Sequence, residues 1–151
     1  AVGAAGVELA LGLGLYAVAG PLLGAQPGWG LLALPLLVVC LAVVALALAL
    51  PLAALNAQFR DVRHALPFLV LVWLFVSPVA YPLDRWSPGR RLLFCFANPA
   101  AGPLQGMRRV LAEGRWPEWN LVAASLATAL VIGAVGHRQF RRLAPTLPDV
   151  I

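Results

Sequence analysis

Trp73, Ser77 and Tyr81 recur every four residues inside an apolar run. That spacing puts three side chains on one face of a helix, while Phe68, Val72, Phe75 and Val79 fall on another. A face mixing aromatic rings with a hydroxyl suits a path for a sugar-bearing substrate, because rings accept sugar faces and remain tolerable in an apolar medium. The same residues also read as a buried Trp, a helix-satisfied Ser and an interfacial Tyr, and the spacing does not choose between the two. Pro78 and Pro82 each lack a backbone donor, which predicts a kink or break near the end of this helix.

Other chemistries are closed by residue usage. Eleven basic residues against six acidic give a net charge of +5, and every basic residue is Arg. Without Lys there is no P-loop to hold nucleotide phosphates and no Schiff base. The patterns GxSxG, HExxH and CxxC and an Asp-rich metal motif are all missing from the sequence, so no cofactor, metal site or catalytic residue is expected. His64 and His137 sit beside Arg at the ends of apolar runs and read as interfacial residues. Cys40 and Cys95 lie in separate runs without framework spacing and read as small apolar packers. Glu8, the only acid inside an apolar run, reads as an anchoring or packing group ahead of a transport role. Gly6, Ala10, Gly14 and Ala17 beside it form a stripe that lets a neighbouring helix approach closely.

The elements that must position these residues follow from 62% apolar and 11% charged content over 151 residues. Soluble domains carry roughly a quarter charged residues, so a water-soluble globule is excluded. A pI near 10.6 would suggest nucleic acid in a soluble protein, but here the Arg residues flank long apolar runs, as membrane-flanking charges do. A crossing helix needs roughly 20 apolar residues. Residues 7–23 (extending back toward Ala1), 31–55, 66–83 and 120–136 meet or approach that length, with an uncharged Gly/Pro turn carrying Trp29 between the first two. Residues 92–112 are also apolar, yet Asn98-Pro99 and Gly102-Pro103 interrupt them and Arg108-Arg109 would lie in hydrocarbon. Two short helices meeting at such a break describe a re-entrant hairpin, tolerated only where other groups satisfy its backbone. The expected fold is an all-α integral membrane protein with about four transmembrane helices plus that hairpin, in a single membrane domain over residues 1–151. Because the chain opens at Ala1 in apolar sequence, it reads as the interior of a longer membrane protein.

Charge counting does not orient this arrangement. If the hairpin does not cross, five Arg (60, 63, 138, 141, 142) lie on one side and six (85, 90, 91, 108, 109, 115) on the other. Asp84, Glu113 and Glu118, interspersed among the six, offset part of their charge.

The segments LNAQFRDVRHALPFLVLVWLFVSPVAYPL, NPAAGPLQGMRRVL and FRRLAPTLPDVI together resemble the permease subunit of ABC type-2 exporters, in the branch that handles O-antigen, capsule and teichoic acid. The resemblance rests on Asn56 and Arg60-Asp61 before a Pro-started helix at Pro67, then Ser77-Pro78 and Tyr81-Pro82 closing it. Asn98-Pro99 follows, with Gly106, Met107 and Arg108 behind it, and Glu8 stands where the family usually has an acid. It implies a six-span permease whose last four spans are present here, with the hairpin of Asn98, Pro99 and Arg108 on the outer face. It also implies a homodimer in the bacterial cytoplasmic (inner) membrane, driven by a separate ABC ATPase subunit and moving a lipid-linked polysaccharide. On that orientation Asn56, Arg60, Asp61 and Arg63 are the candidate cytoplasmic gate or coupling loop, beside a reading as ordinary flanking charges, and the spaced face of Trp73, Ser77 and Tyr81 is the candidate lining of the translocation path. The chain is accordingly expected to be a transport subunit and not an enzyme, with membrane lipids and no nucleic acid among its partners. The rival reading is a membrane glycosyl- or phosphotransferase acting on polyprenyl-linked lipids, which would need metal-binding acids where this sequence has only scattered single ones.

Overall fold

The computed structural model describes residues 11–12, 14–16, 20, 22, 24, 28–59, 61–79 and 81–143. Glu8, Arg60, most of the first expected span and the turn around Gln26 lie outside the described residues, as does the side chain of Arg63. Among the described residues the structure is helical and contains no strand. A 3-10 turn, Trp29–Ala33, leads into α1, Leu34–Gln58; α2 is Val62–Val76, α3 Pro88–Ala97, α4 Ala101–Glu113 and α5 Trp119–Leu143. A second 3-10 turn, Leu83–Arg85, precedes α3.

Among the described residues two helices are long and apolar enough to cross a bilayer: Trp29–Asn56 and Trp119–Gln139, of 28 and 21 residues. They match the expected second and fourth spans. α1 has no charged residue, and Pro51 lies within it. Its buried positions Leu37, Cys40, Val44 and Ala47 alternate at three- and four-residue steps, with Ala54 seven further on, so one narrow stripe faces the protein while Leu36, Val39 and Leu46 point outward. That stripe meets α5 along its length, and the pairing runs forward on both helices. Leu37 clusters with Val122, Val44 with Ala129, Ala47 lies against Gly133 and Pro51 against Gly136. α1 and α5 are therefore parallel, and the chain between them has to return to the end where α1 began.

The outward leg is α2, and here the structure corrects three expectations. The helix is not started by Pro67; it begins at Val62 with Pro67 inside it. It also stops at Val76 instead of running to Leu83. Ser77 adopts extended geometry (ψ 145°) because the ring of Pro78 clashes with a helical residue before it. Trp73, Ser77 and Tyr81 consequently do not share a helical face: Trp73 is in the last turn, Ser77 caps it, and Tyr81 lies beyond it. At 15 residues α2 is about 22 Å long, shorter than a hydrocarbon layer of about 30 Å.

α3 and α4 form a helix–turn–helix. The expected double break is a single one, at residues 98–100, since Gly102 and Pro103 lie within the first turn of α4, where a missing N–H costs nothing. The tip is embedded, with Ala100 clustering with Val44 and Ala129, each ten residues or about 15 Å along its helix. The far end of α4 returns to the beginning of the bundle, where the Gly30 N–H donates to the Gly114 carbonyl at 3.3 Å. Gly114 ends α4 in a left-handed conformation (φ +63°) that favours glycine. Cys40 and Cys95 are buried in two different clusters of this packing, as small apolar side chains.

Gly136 sets the α1–α5 spacing, since a Cβ there would lie 2.5 Å from Pro51 Cδ and 2.7 Å from its nitrogen. Gly136→Ala is expected to lower the thermal stability of the purified protein by about 1–3 kcal/mol through overpacking. Gly89→Ala, whose Cβ would meet nothing within 4 Å, should leave melting unchanged or raise it slightly.

Candidate functional site

Where α3 ends and α4 begins, backbone polar groups that the helices leave open find partners in Asn98 and in the hydroxyls of α5. At the end of α3, the Asn98 N–H donates to the Phe94 carbonyl at 2.8 Å. The next two carbonyls accept from α5 hydroxyls, Cys95 from Ser125 at 3.1 Å and Phe96 from Thr128 at 2.9 Å. At the start of α4, Ala100 N–H donates to Asn98 Oδ1 and Ala101 N–H to the Asn98 carbonyl. The Gly102 N–H donates to Ser125 Oγ at 2.9 Å, and Pro103 has no N–H to satisfy. One hydroxyl, that of Ser125, thus donates to one hairpin helix and accepts from the other. Gly102 has to be a glycine for this, because a Cβ would lie 2.3 Å from the Leu121 carbonyl oxygen.

Asn98 also reaches outward from the hairpin. Its Nδ2 donates to Ser77 Oγ at 3.1 Å, with both side chains buried. The end of α2 is thereby joined to the hairpin tip. Nearby, Tyr81 donates its hydroxyl proton to the Val76 carbonyl at 2.6 Å and stacks on Trp86, whose ring meets Phe94 edge-on at 5.2 Å. Trp73 accepts the Ser77 N–H on its carbonyl and exposes 38% of its surface. So Ser77 and Tyr81 are brought to the hairpin by the turn after α2, whereas Trp73 stays in the last turn of α2 without a described contact to the hairpin.

At the other end of α4 an ion-pair network closes the bundle. Glu118 Oε1 receives Arg91 Nη1 at 2.9 Å and Arg109 Nη1 at closer range. Asp84 accepts both hydrogen-bonding contacts of Gln105 Nε2, at 3.0 and 3.1 Å, and faces Arg91 at 3.9 Å. Glu113 lies 3.7 Å from Arg109 and 4.0 Å from Arg115. The three interspersed acids are thus each ion-paired, and three of the six Arg of this end are engaged with them. Arg108 is exposed and has no carboxylate within 4.0 Å among the described residues. At the opposite end, Asn56 and Asp61 are exposed, and the carbonyl of Asp61 accepts the N–H groups of His64 and Ala65 in the first turn of α2.

Ser125, Thr128 and Gln105 carry no expectation from the sequence, whereas Glu118 stands there among the acids that offset the Arg charge. The signal was present for the first two: they are the hydroxyl residues of an otherwise apolar stretch, three apart, on one face of α5.

The family model for the ABC-2 type transporter matches residues 1–112. The chain belongs to the ABC-2 type transporter family. Among curated proteins it is similar to the O-antigen export system permease protein RfbA of Myxococcus xanthus, with 32% identity over 123 residues. That match covers 81% of this chain and 47% of the relative, so this chain spans about half the length of that relative. No solved structure matches the chain. In this ABC-2 protein, then, the hydroxyls of α5 and the Asn98 amide join the α3–α4 pair to α5 and to the end of α2.

Replacing Ser125 tests that role. Ser125→Ala strips the Gly102 N–H and the Cys95 carbonyl of their partner together, and it should destabilise the purified protein by about 2 kcal/mol or more in thermal melting. Thr128→Val, which frees one carbonyl at a less buried site, should cost visibly less.

Proposed function

We propose that this chain is the membrane-spanning permease part of an exporter that moves a lipid-linked polysaccharide across the bacterial cytoplasmic membrane. A separate ATPase subunit drives it, and a second copy of the permease completes the path. The observation that carries this reading is the identity with a permease named for O-antigen export, over 81% of the chain. Its residues fit: the sequence has no P-loop, so energy has to come from a partner.

In this reading residues 1–151 work as one membrane unit and the α3–α4 pair is a re-entrant hairpin entering from the outer face. Its embedded tip and its two ends at the start of α5 support that placement. α2 crosses with the help of the non-helical segment after Val76. Trp73, Ser77 and Tyr81 lie where the path meets the hairpin: Trp73 presents its ring, Ser77 joins the hairpin through Asn98, and Tyr81 backs Trp86. Asn56, at the end of α1, and Asp61, just before α2, belong with Arg60 and Arg63 of the same sequence segment to a cytoplasmic gate or coupling loop, where charges can seal or couple the inner mouth.

The permease is expected to co-purify with an ATP-binding subunit, and glycan export should require both. The permease alone should hydrolyse no ATP; activity from the isolated chain would overturn the reading. The topology has its own test. Single Cys residues replacing Arg90 and Trp116 in a Cys-free background should both react with an impermeant thiol reagent from outside, whereas labelling of only one would make residues 92–112 a true span.

The path assignment separates from packing by what Trp73→Ala changes. At a path position, export per folded complex should fall while abundance stays near wild type. A packed Trp would instead cost roughly 3–5 kcal/mol and lower abundance.

A further inference from the structure

The end of the bundle that carries the ion-pair network keeps a charge it does not use internally. Of the six Arg there, Arg91, Arg109 and Arg115 are paired with Asp84, Glu113 and Glu118, which are all the acids between residues 84 and 118. Arg90 is exposed and has no carboxylate within 4.0 Å among the described residues. It does not stand alone on a solvated face. Trp86, Arg90, Leu93, Phe94 and Ala97 line an open groove of about 420 Å³ along one stripe of α3. This lies within the roughly 300–1,000 Å³ of small-molecule sites.

The walls of that groove are held in place. Tyr81 stacks on Trp86 with ring centroids 6.5 Å apart, and Phe94 meets Trp86 nearly perpendicularly at 81°. Two aromatic rings therefore form a fixed corner, while Trp86 keeps 38% of its surface exposed. The C–H face of a sugar ring is apolar and slightly positive, so it fits against the negative face of an aromatic ring. A guanidinium binds phosphate oxygens with two parallel N–H groups. A ring surface from Trp86, in the extended segment just before α3, and an unpaired guanidinium from Arg90, in its first turn, line one groove and match a ligand that carries a sugar ring directly beside a phosphate.

From this geometry we infer that the Trp86–Arg90–Phe94 groove is a binding subsite for a glycosyl phosphate, with the sugar on the aromatic corner and the phosphate on Arg90. The inference rests on the export reading for its biological substrate, the sugar–phosphate junction of a lipid-linked glycan. The binding chemistry stands on the groove itself.

The test uses the full-length permease in nanodiscs of zwitterionic lipid, with saturation-transfer NMR as the readout. Three probes are compared: a hexose 1-phosphate, the neutral methyl hexoside, and glycerol 1-phosphate, which has the phosphate of a lipid headgroup but no ring. The hexose 1-phosphate should bind best, with saturation concentrated on its ring protons. Arg90→Gln, a change at an exposed and unpaired side chain, should weaken hexose 1-phosphate binding roughly three- to tenfold, to the level of the methyl hexoside. Trp86→Leu should remove the ring-proton signal of both sugars.

Unchanged binding of hexose 1-phosphate to Arg90→Gln overturns the subsite. So does glycerol 1-phosphate binding as tightly as the hexose 1-phosphate, since the groove would then be a headgroup site. Export assays on the complete complex keep the two readings apart. Loss of the groove signal with normal glycan export removes the subsite alone, whereas an Arg90-dependent sugar phosphate signal in a complex that exports no glycan removes the export reading and leaves the subsite standing.

Discussion

A backbone that breaks its helix inside an apolar medium leaves N–H and C=O groups that water would otherwise satisfy, each at a cost of several kcal/mol in hydrocarbon. At the turn of residues 98–100 the partners for such groups are the Asn98 side chain and Ser125 and Thr128 of α5. The rest of the architecture follows from keeping those donors and acceptors within reach. Gly102 is required so that α4 can lie on the Leu121 carbonyl. Ala100 and Ala101 are small so that the tip enters between α1 and α5. Ser77 receives the remaining Asn98 donor and fixes where α2 ends.

The scaffold that holds α5 in place is built on a different principle. Lipid tails are as apolar as Leu, so two apolar helices gain nothing from hydrophobic burial against each other in a bilayer and depend on close packing. The α1–α5 seam has small residues where the backbones approach: Cys40, Ala47, Ala129, Gly133 and Gly136. Pro51 and Gly136 interlock, with the proline ring occupying the space that a side chain at 136 would fill. Parallel packing of α1 and α5 forces the return leg through α2 and leaves the hairpin ends at the start of the bundle, next to Gly28 and Gly30.

α2 contrasts with both. From Phe68 to Val76 every side chain is exposed, Phe68 and Phe75 at 71%. In water a surface of that size would be an aggregation site; in hydrocarbon, or under other membrane helices, it carries no such cost. The polar end of the bundle is likewise divided by environment. Arg91 and Arg109 keep their Nε atoms buried without a hydrogen-bond partner among the described residues, and the shared carboxylate of Glu118 is what compensates them.

Much of this was legible from residue type and spacing. The uncharged run through α1 and the apolar face of α5 specify long helices because a helix satisfies its backbone in lipid within a single segment. Asn98-Pro99 marks the hairpin turn, since a proline cannot continue the helix before it, and the acids among the six Arg mark a partly neutralised end. The sequence also contained the reason α2 stops early, Pro78 acting on Ser77, but periodicity alone carried the four-residue spacing past that point. What only the tertiary structure decided is which distant groups meet. Ser125 is 27 residues from Asn98 along the chain and Glu118 lies in a loop, so no local pattern names the partner of either. The hydroxyl serves the hairpin, and the carboxylate serves Arg91 and Arg109, only because parallel α1 and α5 bring the start of α5 alongside both hairpin helices. Hydrogen bonds and ion pairs act over about 3–4 Å, and such distances between remote residues are set by packing, not by spacing in the chain.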